Sequence, residues 1–130
     1  SLGQRYVYTK NSLSLISENW FFGAGGNEFQ KLYQTKFSNS DPLKHPHNNF
    51  IFILIELGFF GLLSMLYIFF MQIKVYFNTR NNDFLAFLFP FFFLFIMLFD
   101  NYFLNHNTLT FFCLFSTIIY LEYHKKDYSE

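Results

Sequence analysis

From residue 50 onward the chain alternates long apolar blocks with short polar links. The first block runs from Phe50 to about Ile73 and is broken by Glu56, Ser64 and Gln72. The second runs from Phe84 to Phe99 and ends in Asp100 and Asn101; the third covers about Leu109 to Leu121 and extends through Thr108 and Tyr123. Roughly 20 apolar residues cross a hydrocarbon core of about 30 Å. The first block is therefore long enough to span with some tilt. Periodicity does not separate a buried helix from a spanning one, but length and lack of charge favour spanning. The pattern predicts an all-α integral membrane protein. Residues 1–46 form an outer-side loop with amphipathic helices. Residues 47–123 hold three transmembrane helices (about 49–73, 84–104 and 107–123), and 124–130 is a cytoplasmic tail.

Within the first 46 residues, Leu13, Ile16 and Trp20 fall at helical spacing and predict an amphipathic helix from about Tyr6 to Trp20. Helices of this kind often lie in the interface plane. Phe21, Phe22, Gly23, Ala24, Gly25 and Gly26 end it with glycine punctuation. Phe29, Leu32 and Tyr33 suit a second short helix, followed by a polar loop through Asp41 and Pro42. Lys74, Arg80, Lys125 and Lys126 flank the blocks on one side, whereas 100–107 carries no Lys or Arg. By the positive-inside rule the 74–83 link and the C-terminus are cytoplasmic. Residues 1–46, Asp100 and His106 are then outside.

Composition strengthens the membrane reading. The chain is 52% hydrophobic and 25% aromatic with 23 Phe, and only 14% is charged, against about 25% in soluble domains. Nine basic and nine acidic residues cancel, and no basic stripe suggests nucleic acid. The single Cys113 excludes an internal disulfide and fits a packing residue. The chain opens in polar sequence at Ser1 and reads as the C-terminal piece of a longer membrane protein.

The chemistry concentrates at His45-Pro46-His47-Asn48, directly before the first block. Pro46 is expected at the first helical position, where its missing N–H is harmless. His47 and Asn48 then lie in the first turn, a place that receives anions. There the helix field keeps the imidazole neutral and able to take a proton. Asn48 also suits a simple cap. At 100° per residue, Gly58 and Gly61 fall near the His47 face and predict a stripe for close helix packing. Glu56 points nearly the opposite way, about 13 Å below His47, and needs a partner at that depth. Asp100 and His106 read as interfacial, solvated groups.

His47-Asn48, nine residues, Gly58, two residues, Gly61 resembles the motif of bacterial O-antigen ligases and the wider ligase and polymerase superfamily. Gly3-Gln4-Arg5 followed by a helix and then by Trp20-Phe21-Phe22-Gly23-Ala24-Gly25 is similar to the family's arginine-bearing loop. The resemblance implies a polytopic protein of the bacterial inner membrane with its site on the periplasmic side. It implies transfer of a glycan from an undecaprenyl-diphosphate carrier to lipid A–core, a growing glycan or a protein hydroxyl, with no metal and no cofactor. It gives His47 the role of base. Arg5, with Asn48 and His45, would bind the diphosphate or substrate, and Pro46, Gly58 and Gly61 would shape the site. Further helices upstream, with another functional arginine, are expected of such a protein. A reading from another class makes the chain part of a transporter or channel for an ion or lipid-linked sugar. Glu56 and Asp100 would then line a polar path, but the histidine–glycine spacing would have no purpose.

Overall fold

The computed structural model describes residues 2–38, 43–78, 84–101 and 103–127. Arg80, Asp41, Pro42 and residues 128–130 lie outside them. The described residues form five helices and no strand: α1 (Leu2–Asn19), α2 (Phe29–Lys36), α3 (Asn49–Asn78), α4 (Phe84–Phe99) and α5 (His106–Asp127). Of these, α3 is long and apolar enough to cross a membrane, while α4 and the stretch His106–Leu121 are shorter apolar helices.

α3, α4 and α5 run up and down against one another. The start of α3 meets the end of α4, where the Asn48 side chain donates to the Leu98 carbonyl at 3.2 Å. Phe69, Phe89, Phe93, Phe103 and Phe112 interlock in the core of this bundle. Their rings sit at centroid separations such as 4.9 Å for Phe93 and Phe112 and 5.0 Å for Phe103 and Phe112. Tilted and edge-on pairs of this kind add about 0.5–1.5 kcal/mol each beyond the area they bury. Much other phenylalanine, including Phe70, Phe92, Phe95 and Phe99, faces outward.

Two polar ties fasten the bundle where apolar packing gives no register. Gln72 Nε2 on α3 donates to Ser116 Oγ on α5 at 3.0 Å. Pro90 lies inside α4; with no N–H, it strips the Ala86 carbonyl of its helical donor. The Tyr120 hydroxyl of α5 takes that place, donating to Ala86 O at 2.7 Å. An unpaired carbonyl among apolar side chains would be destabilising, so the proline and the tyrosine form one device.

α1 and α2 fold over the first half of α3 around Leu15, Phe29, Tyr33, Leu43 and Ile55. α2 buries Phe29 and Tyr33, and the Tyr33 hydroxyl accepts from Asn11 Nδ2 at 3.1 Å. α1 buries a face other than the expected one. Ser12 and Leu15 are inside, whereas Leu13 and Trp20 are each 51% exposed. Of the expected stripe, Ile16 packs partly against this cluster, while Leu13 and Trp20 are left facing outward.

α3 is also not the continuous helix that the glycine-stripe expectation assumed. It breaks at Gly58, which has φ +69° and ψ −167°, a backbone region essentially reserved for glycine. In an unbroken helix the Phe59 N–H would donate to the Ile55 carbonyl. Here it donates instead to the carbonyls of Trp20 and Phe21, at 2.8 and 3.1 Å. Ala24 N–H fills the vacated Ile55 carbonyl at 2.8 Å, and Gly25 N–H donates to the Glu56 carbonyl at 2.9 Å. The Gly23–Gly25 loop is thus plugged into the break, backbone on backbone. A Cβ on Gly58 would lie 2.5 Å from Gly23 N, and one on Gly23 would lie 2.6 Å from Gly58 N. Gly61 serves the same bend differently, since a Cβ there would run into the Leu57 side chain. Gly58, matched with Gly23, seats a loop instead of a neighbouring helix.

Candidate functional site

Asn48 caps α3 rather than sitting inside its first turn. Its Oδ1 accepts the Ile51 N–H at 3.1 Å, its carbonyl accepts the Phe52 N–H at 3.0 Å, and the helix begins at Asn49. Asparagine is among the best N-caps, and that sets the helix start three residues beyond Pro46. The proline is therefore not the first helical residue; it is fully buried just outside the helix. His47 is likewise outside the first turn, with φ +54°, an uncommon conformation for a residue with a side chain. The first-turn field argument for His47 loses its geometry.

What the left-handed turn achieves is a different contact. His47 Nδ1 lies 3.0 Å from Asp100 Oδ1, the residue that directly follows α4. His45 Nδ1 stands 3.9 Å from the same oxygen. The two imidazoles meet edge to face at 4.7 Å, and Tyr8 of α1 lies nearly parallel to the His47 ring at 6.4 Å. Asp100 is half enclosed, with a side chain 15% exposed. Burial works against its charge. The Asn101 N–H at 2.7 Å, the His47 hydrogen bond and the two imidazoles outweigh that and hold its carboxyl below the usual value. His45 is pushed the other way from protonation. Burial lowers its pKa most, with repulsion from His47 and Lys44 adding to it and Asp100 opposing.

An ionised carboxylate can only accept, so His47 Nδ1–H donates to Asp100. In the neutral imidazole this tautomer puts the lone pair on Nε2, which has no hydrogen bond among the described residues. An imidazole oriented this way by a carboxylate is equipped to draw a proton from a hydroxyl. One donor atom from each of His45, His47 and Asp100 lies within 4.8 Å of the other two, so a metal ion is also within the reach of these side chains.

Of the residues expected at the site, the structure gathers His45, Pro46, His47 and Asn48. Arg5 lies on the exposed surface of α1, one turn before Tyr8, and makes no ion pair among the described residues. Neighbours three apart share a helix face, so Arg5 is on the side of α1 that carries Tyr8 to His47. Gly58 and Gly61 are farther down α3 and act on the fold. His106 is exposed and takes no part in the histidine–aspartate cluster. Glu56 is buried, and its Oε1 accepts the Phe29 N–H at 3.4 Å, at the start of α2. It lines a cavity of about 160 Å³ whose other walls include Phe52, Ile53, Leu57, Met65 and Phe103. Asp100 is not among those walls. Asp100 is the site residue that sequence spacing missed as a partner of His47. Its signal was a lone acid at the end of an apolar block, which solvation explains equally well.

The described residues define an all-helical fold with one helix long and apolar enough to cross a membrane and a histidine–aspartate pair at its mouth. The family model for O-antigen ligase matches residues 1–66, and the chain belongs to that family. The match takes in Arg5, the Gly23–Gly25 loop, His47, Asn48, Gly58 and Gly61; Asp100 comes from the half beyond it. These are bacterial membrane proteins of polysaccharide and lipopolysaccharide synthesis, and the family carries glycan transfer of the ligase or polymerase kind between a lipid-linked glycan and an acceptor. No curated protein and no solved structure matches the chain.

Proposed function

We propose that His47, oriented by Asp100, is the general base of a glycan transfer from an undecaprenyl-diphosphate carrier to an acceptor hydroxyl. The 3.0 Å contact between His47 Nδ1 and Asp100 Oδ1 carries this reading. Nε2 takes the proton as the acceptor oxygen bonds to the anomeric carbon. The bond from that carbon to the carrier diphosphate breaks, and the diphosphate leaves with the electron pair. Arg5 suits the diphosphate because its planar guanidinium forms paired hydrogen bonds to phosphate oxygens. His45 supports the site from the same loop. Asn48, whose amide is bonded to α3 and to Leu98, acts by holding the start of α3 against the end of α4.

In this reading α3, α4 and α5 span the inner membrane. The His47 end faces the periplasm, and Lys74 lies towards the cytoplasmic side. The acceptor is lipid A–core, a glycan or a protein hydroxyl, and the chemistry uses no metal. The geometry favours transfer over the transporter alternative, because among the described residues Glu56 and Asp100 have separate partners and Asp100 does not line the cavity at Glu56.

The test is a strain lacking the full-length protein, complemented with wild type or His47→Ala, with its surface glycolipids run on a gel. Long chains missing from the lipid core while carrier-linked polymer accumulates identify a ligase. Cores bearing a single repeat unit identify a polymerase. A mutant pattern identical to wild type refutes the base assignment.

A further inference from the structure

We infer that Trp20, Phe21 and Phe22, with Phe60 beside them, form an aromatic wedge that docks in one leaflet of the bilayer, at the boundary between headgroups and acyl chains. This goes beyond the transfer reading and does not rest on it. The wedge is a product of the break in α3. Ala24 and Gly25 donate into the break, and the Trp20 and Phe21 carbonyls accept the Phe59 N–H. These bonds use main chain alone, so they fix where the segment sits and leave its three large side chains free for another surface. Phe21 meets Phe60 edge to face at 5.2 Å, and it meets Trp20 and Phe22 at 5.1 and 4.7 Å. The four rings are one contiguous group, yet they are not a core. Phe22 is 79% exposed, and Trp20 and Phe60 are half-exposed. A joined aromatic patch on a protein surface marks a membrane or a partner.

Lipid is the occupant because the patch continues into the outward face of α3. Phe60, Leu63, Tyr67 and Phe70 recur at helical spacing and are all exposed, so they form one stripe. That stripe belongs to the helix long and apolar enough to cross a membrane, in a chain of a membrane protein family. The wedge is the end of the stripe, widened by a second segment of chain. Residues 19–27 carry no charge, and Glu18 and Glu28 flank them, so the uncharged stretch is the part that can enter lipid. Segments that carry Trp and Phe bury their apolar side about 5–10 Å at this boundary. Tryptophan suits it because the ring is apolar and the indole N–H still reaches headgroups and water.

The experiment uses the full-length protein in phosphatidylcholine vesicles whose acyl chains carry bromine either near the headgroup or near the chain end. Trp20 fluorescence is read as the difference between wild type and Trp20→Phe, a change that keeps the carbonyl bonded to Phe59. Blue-shifted Trp20 emission, lost to shallow bromine more than to deep bromine, is the expected result. Emission like that of indole in water, quenched by iodide and untouched by bromine, overturns the proposal. So does blue-shifted emission that neither quencher reaches, because another part of the chain or a second copy then covers the wedge. Stronger loss to deep bromine overturns the placement at the boundary. If circular dichroism shows that Trp20→Phe does not fold, a nitroxide on Phe22→Cys, in a background without other cysteines, decides the question. Relaxation by oxygen supports the wedge, and relaxation by a water-soluble nickel chelate refutes it. None of these readings depends on the glycolipids of a His47→Ala strain, so the base assignment and the wedge fail separately.

Discussion

Replacing Gly58 by alanine tests the docking of the Gly23–Gly25 loop into the break in α3. With the loop in place, the new Cβ would sit 2.5 Å from Gly23 N and 2.6 Å from the Phe22 carbonyl carbon. Both are backbone atoms that cannot swing aside, and an alanine at φ +69° carries about 1–3 kcal/mol of strain even in open space. The loop must therefore leave. Undocking frees the N–H groups of Ala24, Gly25 and Phe59 from their cross-segment partners. At about 1 kcal/mol net for each bond, the change is close to 3 kcal/mol, or about 2 kcal/mol if Phe59 returns to Ile55. Since 1.4 kcal/mol is a factor of ten, the undocked population should rise roughly 30- to 140-fold. Hydrogen exchange reads this directly, because peptides covering residues 21–28 should lose protection by that factor. Gly26→Ala is the control, since nothing lies within 4 Å of a Cβ there. Protection in Gly58→Ala within about threefold of wild type would refute the docking argument.

Tyr120→Phe should destabilise the bundle by about 1–3 kcal/mol through the unpaired Ala86 carbonyl. Adding Pro90→Ala should recover most of that loss, because the restored N–H bonds the same carbonyl; a thermal-stability double-mutant cycle showing no coupling would rule the device out. Glu56→Gln retains an acceptor for the Phe29 N–H and should be mild, whereas Glu56→Leu should loosen α2 by about 1–3 kcal/mol, read as faster proteolysis between residues 29 and 37. The lowered pKa of His45 makes stability depend on pH with a definite sign. Above its ordinary value of 6.5 both states are neutral and nothing is lost. As pH falls below 6.5 the unfolded chain takes up the proton first, so stability declines until pH passes the folded pKa. Asp100 is lowered from 3.8, so its contribution persists across that window and is lost only in stronger acid. Thermal unfolding between about pH 7.5 and 5.5 should therefore fall more steeply for wild type than for His45→Gln; parallel curves would contradict the assignment.

The apolar blocks were legible because helices stated by length and lack of charge need no partner to be recognised. The second short helix with Phe29 and Tyr33 inside was legible for a similar reason, as a local spacing. What escaped were choices made by contact. The stripe of Leu13, Ile16 and Trp20 is a valid helical face, yet α1 turns Ser12 and Leu15 inward and keeps only Ile16 of that stripe partly buried. The spacing of Gly58 and Gly61 is meaningful, but projecting it onto an unbroken helix hid the break that gives Gly58 its purpose. At the site, His47 and Asn48 stood out by composition and position. Asp100 lies 53 residues beyond His47, and no local pattern links them; only the antiparallel return of α4 does.

The break at Gly58 also sets a length. The 30 residues of α3 would make a rod of about 45 Å, well beyond a hydrocarbon core of about 30 Å. Residues 59–78 alone measure about 30 Å and fill that thickness. If this stretch fills the bilayer, residues 49–57 form a separate short segment before the break, braced by α1 and α2, with the histidine–aspartate pair at its start. The position of the histidine–aspartate pair is then fixed by protein scaffolding, the α1 and α2 brace, rather than by the lipid. Under the proposed function, thickening or thinning the membrane by a few ångströms would alter how a carrier diphosphate reaches the site while leaving the site itself intact.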